Sequence, residues 1–151
     1  MLADITTTLQ SFWHNQFTLP VPTCFPGVNT TIGEATSWIE FWIDAQNCPP
    51  QRELSCSRLD LLVTLHCFSR SPTQILEAQQ LVDVASRILA HQHLTISKTI
   101  ADVPQTVGII SLREPQVRDL TRTQPTSGLL TRHLVLSLAA LAQFNSPLTN
   151  S

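Results

Sequence analysis

The fold of this chain is decided by two stretches, Ser37-Trp-Ile-Glu-Phe-Trp-Ile-Asp-Ala45 and Arg58-Leu-Asp-Leu-Leu-Val-Thr-Leu-His-Cys-Phe68. In each stretch apolar and polar residues alternate with the period of two that is typical of a half-buried strand. The intervening segment is polar and contains Pro49-Pro50, which predicts a loop. We therefore expect an antiparallel hairpin whose long tip covers residues 45–57.

The first strand places Trp38 and Trp42 on the face that also carries its carboxylates. Tryptophans are rarely left in water as a group, so this face is expected to pack under a helix of the same chain or against a partner. Both tryptophans are therefore candidate interface residues. Gln51 and Arg52 are also candidate interface residues, because they lie in the expected hairpin tip, which projects from the core and is available to a partner.

Two amphipathic helices are expected beside these strands. Apolar residues recur every three or four positions from Leu2 to Phe17, which predicts a helix that needs tertiary packing because of its three threonines. A second helix has the start signals Ser71 as N-cap, Pro72 at the first helical position and Gln74 two residues later. One apolar stripe then continues to about residue 90.

The remaining segments predict an edge and closing strands. Prolines within residues 20–26 remove ladder donors, so this stretch is expected to be an edge or a connection. Pro115 predicts an edge position or an interruption, and residues 121–128 predict a turn. The final strand is apolar enough to be buried on both faces, with a helix as its main competitor. Strands are expected at Leu94–Ile96, Thr106–Leu120 and Leu129–Leu141.

These elements together predict an α+β fold, with an antiparallel β-sheet, long hairpins and two main helices packed on one side. Residues 1–144 are expected to form a single domain, because 151 residues suit one ordinary core. Residues 145–151 are expected to be a loose C-terminal tail. No apolar run approaches the ~20 residues of a membrane helix, and no secretory signal pattern is seen, so no membrane association is expected.

Low charge is the most unusual property of the composition. Only 13% of residues are charged, the net charge is −2, and Lys98 is the single lysine. The 42% hydrophobic content argues against disorder, and the 11 acidic residues against 9 basic ones argue against a strongly basic nucleic-acid binder. A sparsely charged surface that prefers arginine to lysine is typical of protein–protein contact.

No catalytic motif, cofactor site or metal site is predicted. The chain has no GxSxG, P-loop, GxGxxG or HExxH pattern, so we expect no enzyme activity and no cofactor. Cys67 alternates with apolar residues and is expected in the core. Cys48 and Cys56 flank the polar loop Asn47–Ser55 and are either free thiols or a disulfide. His91 and His93 form a pair that is either metal-ligating or placed at a helix C-terminus.

Several segments together resemble one family. They are the opening helix Leu2–Phe17, the segment Pro20–Pro26, the strands Trp38–Ile43 and Leu61–Phe68, the helix Pro72–Ala90 with Leu81-Val-Asp-Val-Ala85, and the closing strands that start at Gly108 and at Gly128-Leu-Leu-Thr-Arg-His-Leu-Val135. In this order they resemble the tail-terminator family of tailed bacteriophages, also described as tail-completion or minor tail protein U-like. One departure is Ser69-Arg-Ser-Pro72, which stands where relatives often have a Gly-rich turn.

The resemblance implies a structural virion protein of the tail or neck, assembled in the host cytoplasm. It implies a homo-oligomer, a hexameric ring on the last ring of the tail tube protein, that stops tube growth and offers the docking surface for the head–tail connector protein. The sheath protein is a further candidate partner. Six copies at −2 each carry about −12, so DNA is expected to pass through the lumen without specific binding.

Four arginines of the C-terminal hairpin complete the interface candidates: Arg113, Arg118, Arg122 and Arg132. They lie near Glu114 and Asp119 in the sequence, so they form a DNA-touching patch, intersubunit ion pairs or a solvated face. Two alternative functions stay open at this point. One is a head–tail connector (neck) subunit, and the other is a small cytoplasmic binding domain of unrelated function.

Overall fold

The computed structural model describes residues 1–47, 58–70, 76–123 and 130–145. Two helices and eight strands lie within these ranges. In chain order they are α1 (Leu2–Gln16), β1 (Thr23–Cys24), β2 (Ser37–Asn47), β3 (Arg58–Ser69), α2 (Glu77–Leu89), β4 (His93–Ile100), β5 (Val103–Leu112), β6 (Gln116–Asp119), β7 (Arg122–Thr123) and β8 (Leu130–Phe144).

The strands form one mixed sheet in the order β1-β2-β3-β8-β5-β4, with β6 and β7 also paired to β8. The predicted α+β class is confirmed, and so is the largely antiparallel sheet. The exception is β1, which pairs in parallel with β2 through Thr23↔Ile39 and Cys24↔Glu40. This short strand follows α1 within the proline-rich segment, where an edge or connecting role is expected.

Strands β5 and β6 lie end to end along the same side of β8. Gly108 of β5 pairs with Phe144, whereas Gln116 of β6 pairs with Ser137. The ladder between them is interrupted over residues 113–115, as Pro115 predicts. The prediction of one strand over Thr106–Leu120 is therefore wrong in detail, because the structure has two strands, β5 and β6, there.

One hydrophobic core lies between the helices and a single face of the sheet, which we call the helix face. The buried side of α1 consists of Ile5, Leu9 and Trp13, and that of α2 of Ala78, Leu81, Val82, Ala85 and Leu89. Fully burying one large apolar side chain contributes roughly 1.5–3 kcal/mol, so these stripes supply the packing that α1 needs. Cys67 is fully buried in this core, as its alternation predicts.

Trp13 connects α1 to the edge of the sheet. Its indole Nε1 donates a hydrogen bond to Thr23 Oγ1 at 3.0 Å, so the buried polar atom has a partner. Its ring stacks on Phe17 at 4.5 Å between centroids and meets Phe41 at 5.5 Å. The end of α1 is thereby held against β1 and β2.

The N-terminal turn of α2 is tied to the ends of β2 and β3 by a carboxylate. Glu77 Oε2 accepts hydrogen bonds from Ser37 Oγ at 2.6 Å and from Ser69 Oγ at 3.0 Å. The two serines face each other across the strands and are both buried. The described helix begins at Glu77, and the predicted start signals, Ser71–Gln74, lie outside the described residues.

The other differences lie in the second half of the chain. The predicted short strand at Leu94–Ile96 is instead an eight-residue strand, β4, which forms a hairpin with β5. The prediction that β8 is buried on both faces is correct over Leu134–Leu136 and wrong at Ala139, which is exposed. Cys48, Cys56 and most of the tip at 45–57 lie outside the described residues, as does the tail from residue 146.

Candidate interaction surface

The sheet has a second side, the outer face, that neither of the two described helices covers. Because side chains alternate along a strand, this face carries Trp38, Glu40, Trp42 and Asp44 of β2, Leu62, Thr64, His66 and Phe68 of β3, and His133, Val135 and Ser137 of β8. It is partly apolar, and its charged residues include Glu40, Asp44, Asp60 and Arg118. A face of this kind is typical of a surface that binds another protein.

Four rings stack across β2, β3 and β8 on the outer face; we call them the aromatic–histidine cluster. Trp38 stacks on Phe68 with 5.0 Å between centroids, and Phe68 stacks on His133 at 4.3 Å. His66 completes the cluster at 5.1 Å from His133. The ladder places these rings together, because Trp38 faces Phe68 and Phe68 faces His133 in register.

Arg70 closes one end of the cluster. Its guanidinium carbon lies 5.2 Å from the centre of the Trp38 ring, a cation–π arrangement. Two hydrogen bonds hold it there, from Nε to the Ala35 carbonyl at 2.9 Å and from Nη2 to the Gly33 carbonyl at 2.7 Å. Trp38 is therefore covered within its own chain. Its Nε1 is buried without a hydrogen-bond partner among the described residues.

His66 and His133 share a hydrogen bond of 2.8 Å between Nδ1 of the first and Nε2 of the second. One ring must donate and the other accept, so protonating both would leave two cations face to face. Partial burial lowers the pKa of His133, and the neighbouring His66 lowers it further, while Glu40 and Asp119 act in the opposite direction. Burial and this neighbour therefore favour the neutral form of His133.

Trp42 is the part of the outer face that stays open. Its side chain is 43% exposed, and Glu40 and Asp44 flank it on the same face of β2. On the side of β2 away from β3, the described pairing ends at Glu40, because β1 has only two residues. The edge beyond Glu40 is unpaired by any described strand, and an open edge of this kind can pair with another chain.

Arg113, Arg118 and Arg132, the arginine candidates whose side chains the structure describes, do not meet in one patch. Arg113 is exposed at the break between β5 and β6, where its backbone N–H donates to the Ala139 carbonyl at 2.9 Å. Arg118 is exposed on β6 opposite Val135. Arg132 lies three positions from Val135 on β8 and therefore belongs to the opposite face. The C-terminal arginines are thus spread along β8 and over both faces.

Arg132 has its own local partner. It lies 3.9 Å from Asp119, at the limit of an ion pair, and its Nε is buried without a hydrogen-bond partner among the described residues. The Thr121 backbone N–H donates to Asp119 Oδ1 at 2.8 Å, and bonding to Thr121 lowers the pKa of Asp119, with a smaller contribution from Arg132. Arg122 is described only as part of β7, and Gln51 and Arg52 lie outside the described residues.

An open cleft of about 470 Å³ lies near the start of α2, away from the outer face. Its described lining includes Leu19, Val21, Glu34 and Leu81, together with Glu77. The Glu77 carboxylate already accepts two serine hydroxyls, so it serves the fold. Within the described residues no three His, Cys, Asp or Glu side chains are placed to hold a metal ion, and neither helix is long and apolar enough to cross a membrane.

Sequence reasoning missed the two features that organise this surface. The pairing of His66 with His133 depends on the β3–β8 register. Arg70 follows the end of the alternating stretch, so the alternation gives no prediction of its contact with Trp38. The signal that was available is the His-x-Phe spacing of His66 and Phe68. It puts two flat rings on the same face as the tryptophans.

Comparison with known proteins gives a fold without a function. No family model matches the chain, and no curated protein matches its sequence. Ten chains of solved structures match its fold. One of them, known only by a serial designation, has a TM-score of 0.65 and 11% identity over 97% of this chain and 99% of its own length. At that identity the likeness establishes the shared fold alone.

Proposed function

We propose that the protein is a phage tail terminator: a structural subunit that assembles into a ring, caps the tail tube and receives the head through its connector. The observation that carries the proposal is the outer face, which neither described helix covers and which presents Trp42 to solvent. An exposed tryptophan keeps apolar surface in contact with water, and assembly that buries this surface is favourable. The segment order that resembles the tail-terminator family supplies the particular assembly.

The low charge supports the same function. Surfaces that are buried in a ring avoid unpaired charges, and only 13% of the residues of the chain are charged. Of the described C-terminal arginines, Arg118 and Arg132 lie on opposite faces of the sheet, which does not suit a phosphate-binding patch. DNA would then pass through the ring without being held.

Electron microscopy of tails made without this protein tests the proposal. Deletion of its gene from the host that carries it is expected to give overlong or headless tails, because tube growth is no longer stopped. Tails of normal length that lack only heads would instead support the head–tail connector alternative. Normal, infectious particles would contradict both structural roles.

The cleft beside α2 is the observation that favours the second candidate function, a small binding domain. Its volume of about 470 Å³ lies within the range of small-molecule sites. A saturable small ligand whose binding is lost on Gln80→Trp, an exposed residue of the cleft, with normal tails in the deletion strain, would favour this alternative. The cleft is open to solvent, and its Glu77 carboxylate already accepts hydrogen bonds from two serines. Both features favour the structural role over small-molecule binding.

A further inference from the structure

The hairpin of β4 and β5 extends beyond the other described strands of the sheet as a ribbon, which we call the arm (Ser97–Thr106). Strand β5 joins β8 only from Gly108 onward, so the arm lies past the end of that ladder. All ten of its residues are exposed. A bulge at Val107 separates it from the rest of the hairpin, because Ile96 pairs with Gly108 but Ser97 pairs with Thr106. Bulges of this kind bend and redirect a strand.

The end of the arm combines an unfavourable turn conformation with an exposed apolar pair, and neither feature suits a ribbon that stays free in water. Its turn residues Ala101 and Asp102 have φ of 49° and 62°, the left-handed region that glycine and asparagine adopt most easily. Ile100 and Val103 face each other beside this turn and are 44% and 56% exposed. A two-stranded ribbon is marginal in water by itself. An apolar pair at the end of such a ribbon is stabilised when another surface covers it.

The two faces of the arm differ in chemistry. Register puts Ile100 and Val103 on one face with Lys98 and Gln105, and alternate residues on the other. The other face carries Ser97, Thr99, Pro104 and Thr106. Lys98 is the only lysine of the chain. One face of the arm is therefore apolar with a single positive charge, and the other is neutral and polar.

The described surface contains a complement to the first face. Trp42 is exposed and has Asp44, also exposed, two residues along the same face of β2. Lys98 and Ile100 have the same spacing along the arm, so a ribbon that places Ile100 on Trp42 brings Lys98 beside Asp44. Aromatic contact supplies buried area, and the opposite charges set the register.

We propose that the arm of one copy lies on the outer face of the next copy, with Ile100 and Val103 covering Trp42 and with Lys98 paired to Asp44. This inference rests on the proposed ring. Strands β3, β8 and β5 separate β2 from β4 in the sheet, and both surfaces stay exposed in the single chain. Two different patches on one molecule make a heterologous contact, which generates a ring when its rotation closes.

A charge-reversal cycle on the full-length protein tests the contact. Lys98→Glu and Asp44→Lys are each expected to weaken assembly about tenfold, measured as the concentration at which particle mass falls to that of the monomer. The double variant is expected to recover assembly, because the pair is re-formed with its signs exchanged. Thr99→Glu, on the polar face of the arm, is the matched control and is expected to assemble like the wild type.

The outcomes separate this inference from the function on which it rests. A wild type that forms rings while Lys98→Glu behaves like Thr99→Glu would overturn the arm contact and leave the ring proposal in place. Two weakened single variants without recovery in the double variant would overturn the Lys98–Asp44 pairing. A wild type that is monomeric at every concentration would overturn both proposals. Circular dichroism of each variant shows that the comparison is made between folded chains.

Discussion

Replacing Glu77 by alanine tests how the helix layer holds the strands that carry the outer face. Glu77 Oε2 accepts the hydroxyls of Ser37 and Ser69, at 2.6 and 3.0 Å. These serines directly precede Trp38 and follow Phe68, which stack on the other side of the same two strands. Removing the carboxylate therefore leaves two buried hydroxyls without their acceptor, immediately beneath the aromatic–histidine cluster.

The expected loss follows from those two bonds. Hydrogen bonds to a charged group contribute about 1.5–3 kcal/mol each, and an unsatisfied buried hydroxyl costs a similar amount. Glu77 is only half-buried, so water can replace part of its role, and we expect Glu77→Ala to lower the free energy of unfolding by about 2–4 kcal/mol. That is a large fraction of the roughly 5–15 kcal/mol of a typical domain.

Urea unfolding followed by tryptophan fluorescence measures this loss. The experiment is run at one low protein concentration, because assembly adds to apparent stability. At a slope of about 2 kcal/mol/M the midpoint should fall by about 1–2 M. Glu77→Gln keeps one acceptor oxygen and should lose about half as much. Glu34→Ala, an exposed carboxylate of the same cleft, is the matched control, and equal effects of Glu77→Ala and Glu34→Ala would refute the reasoning.

Three further predictions concern the β5–β8 ladder, the arm and the histidine pair. A Cβ at Gly108 would collide with the backbone carbonyl oxygen of Gln143, so Gly108→Ala should cost about 2–3 kcal/mol in chemical denaturation; a loss below 0.5 kcal/mol would contradict the close β5–β8 approach. Ala101→Gly should raise stability by about 1 kcal/mol and the melting temperature by a few degrees, because φ is 49° there; a lower melting temperature would contradict that conformation. The lowered pKa of His133 means that the unfolded chain binds more protons near pH 6, so stability should fall as pH drops below about 6.5. His133→Gln should flatten this part of the pH profile, and an unchanged profile would contradict the assignment.

The elements with clean periodicity could be predicted from sequence. Leu2–Phe17 differs from α1 by one residue, and the strand Ser37–Ala45 lies within β2. Their alternation is strong because one side of each is buried in the core. Pro115 also predicted correctly where the edge ladder breaks, since proline cannot donate to it.

The arm could not be predicted because the signals that mark hairpins are missing. Its turn is Ala101-Asp102, without the glycine or asparagine that two-residue turns favour. Its side chains are exposed on both faces, so no alternation of apolar and polar residues is required. The parallel pairing of β1 was hidden for a related reason: two residues are too few for any periodic pattern.

The outer face was predictable as a face but not in its internal arrangement. Alternation correctly puts Trp38 and Trp42 on one side of β2, yet it cannot distinguish them. Register and loop geometry decide that Phe68 and Arg70 cover the first ring while the second stays exposed. These contacts join residues that are about 30 positions apart, so no local pattern encodes them.

The mass of the purified full-length protein as a function of concentration tests the central claim most directly. Closure into a ring through heterologous contacts predicts one discrete species in equilibrium with monomer. The resemblance to the tail-terminator family sets its size at six copies of the 16.8 kDa chain, about 101 kDa. Native mass spectrometry and analytical ultracentrifugation should both report it. A chain that stays at 16.8 kDa at every concentration, or an open-ended series of masses, would contradict the account.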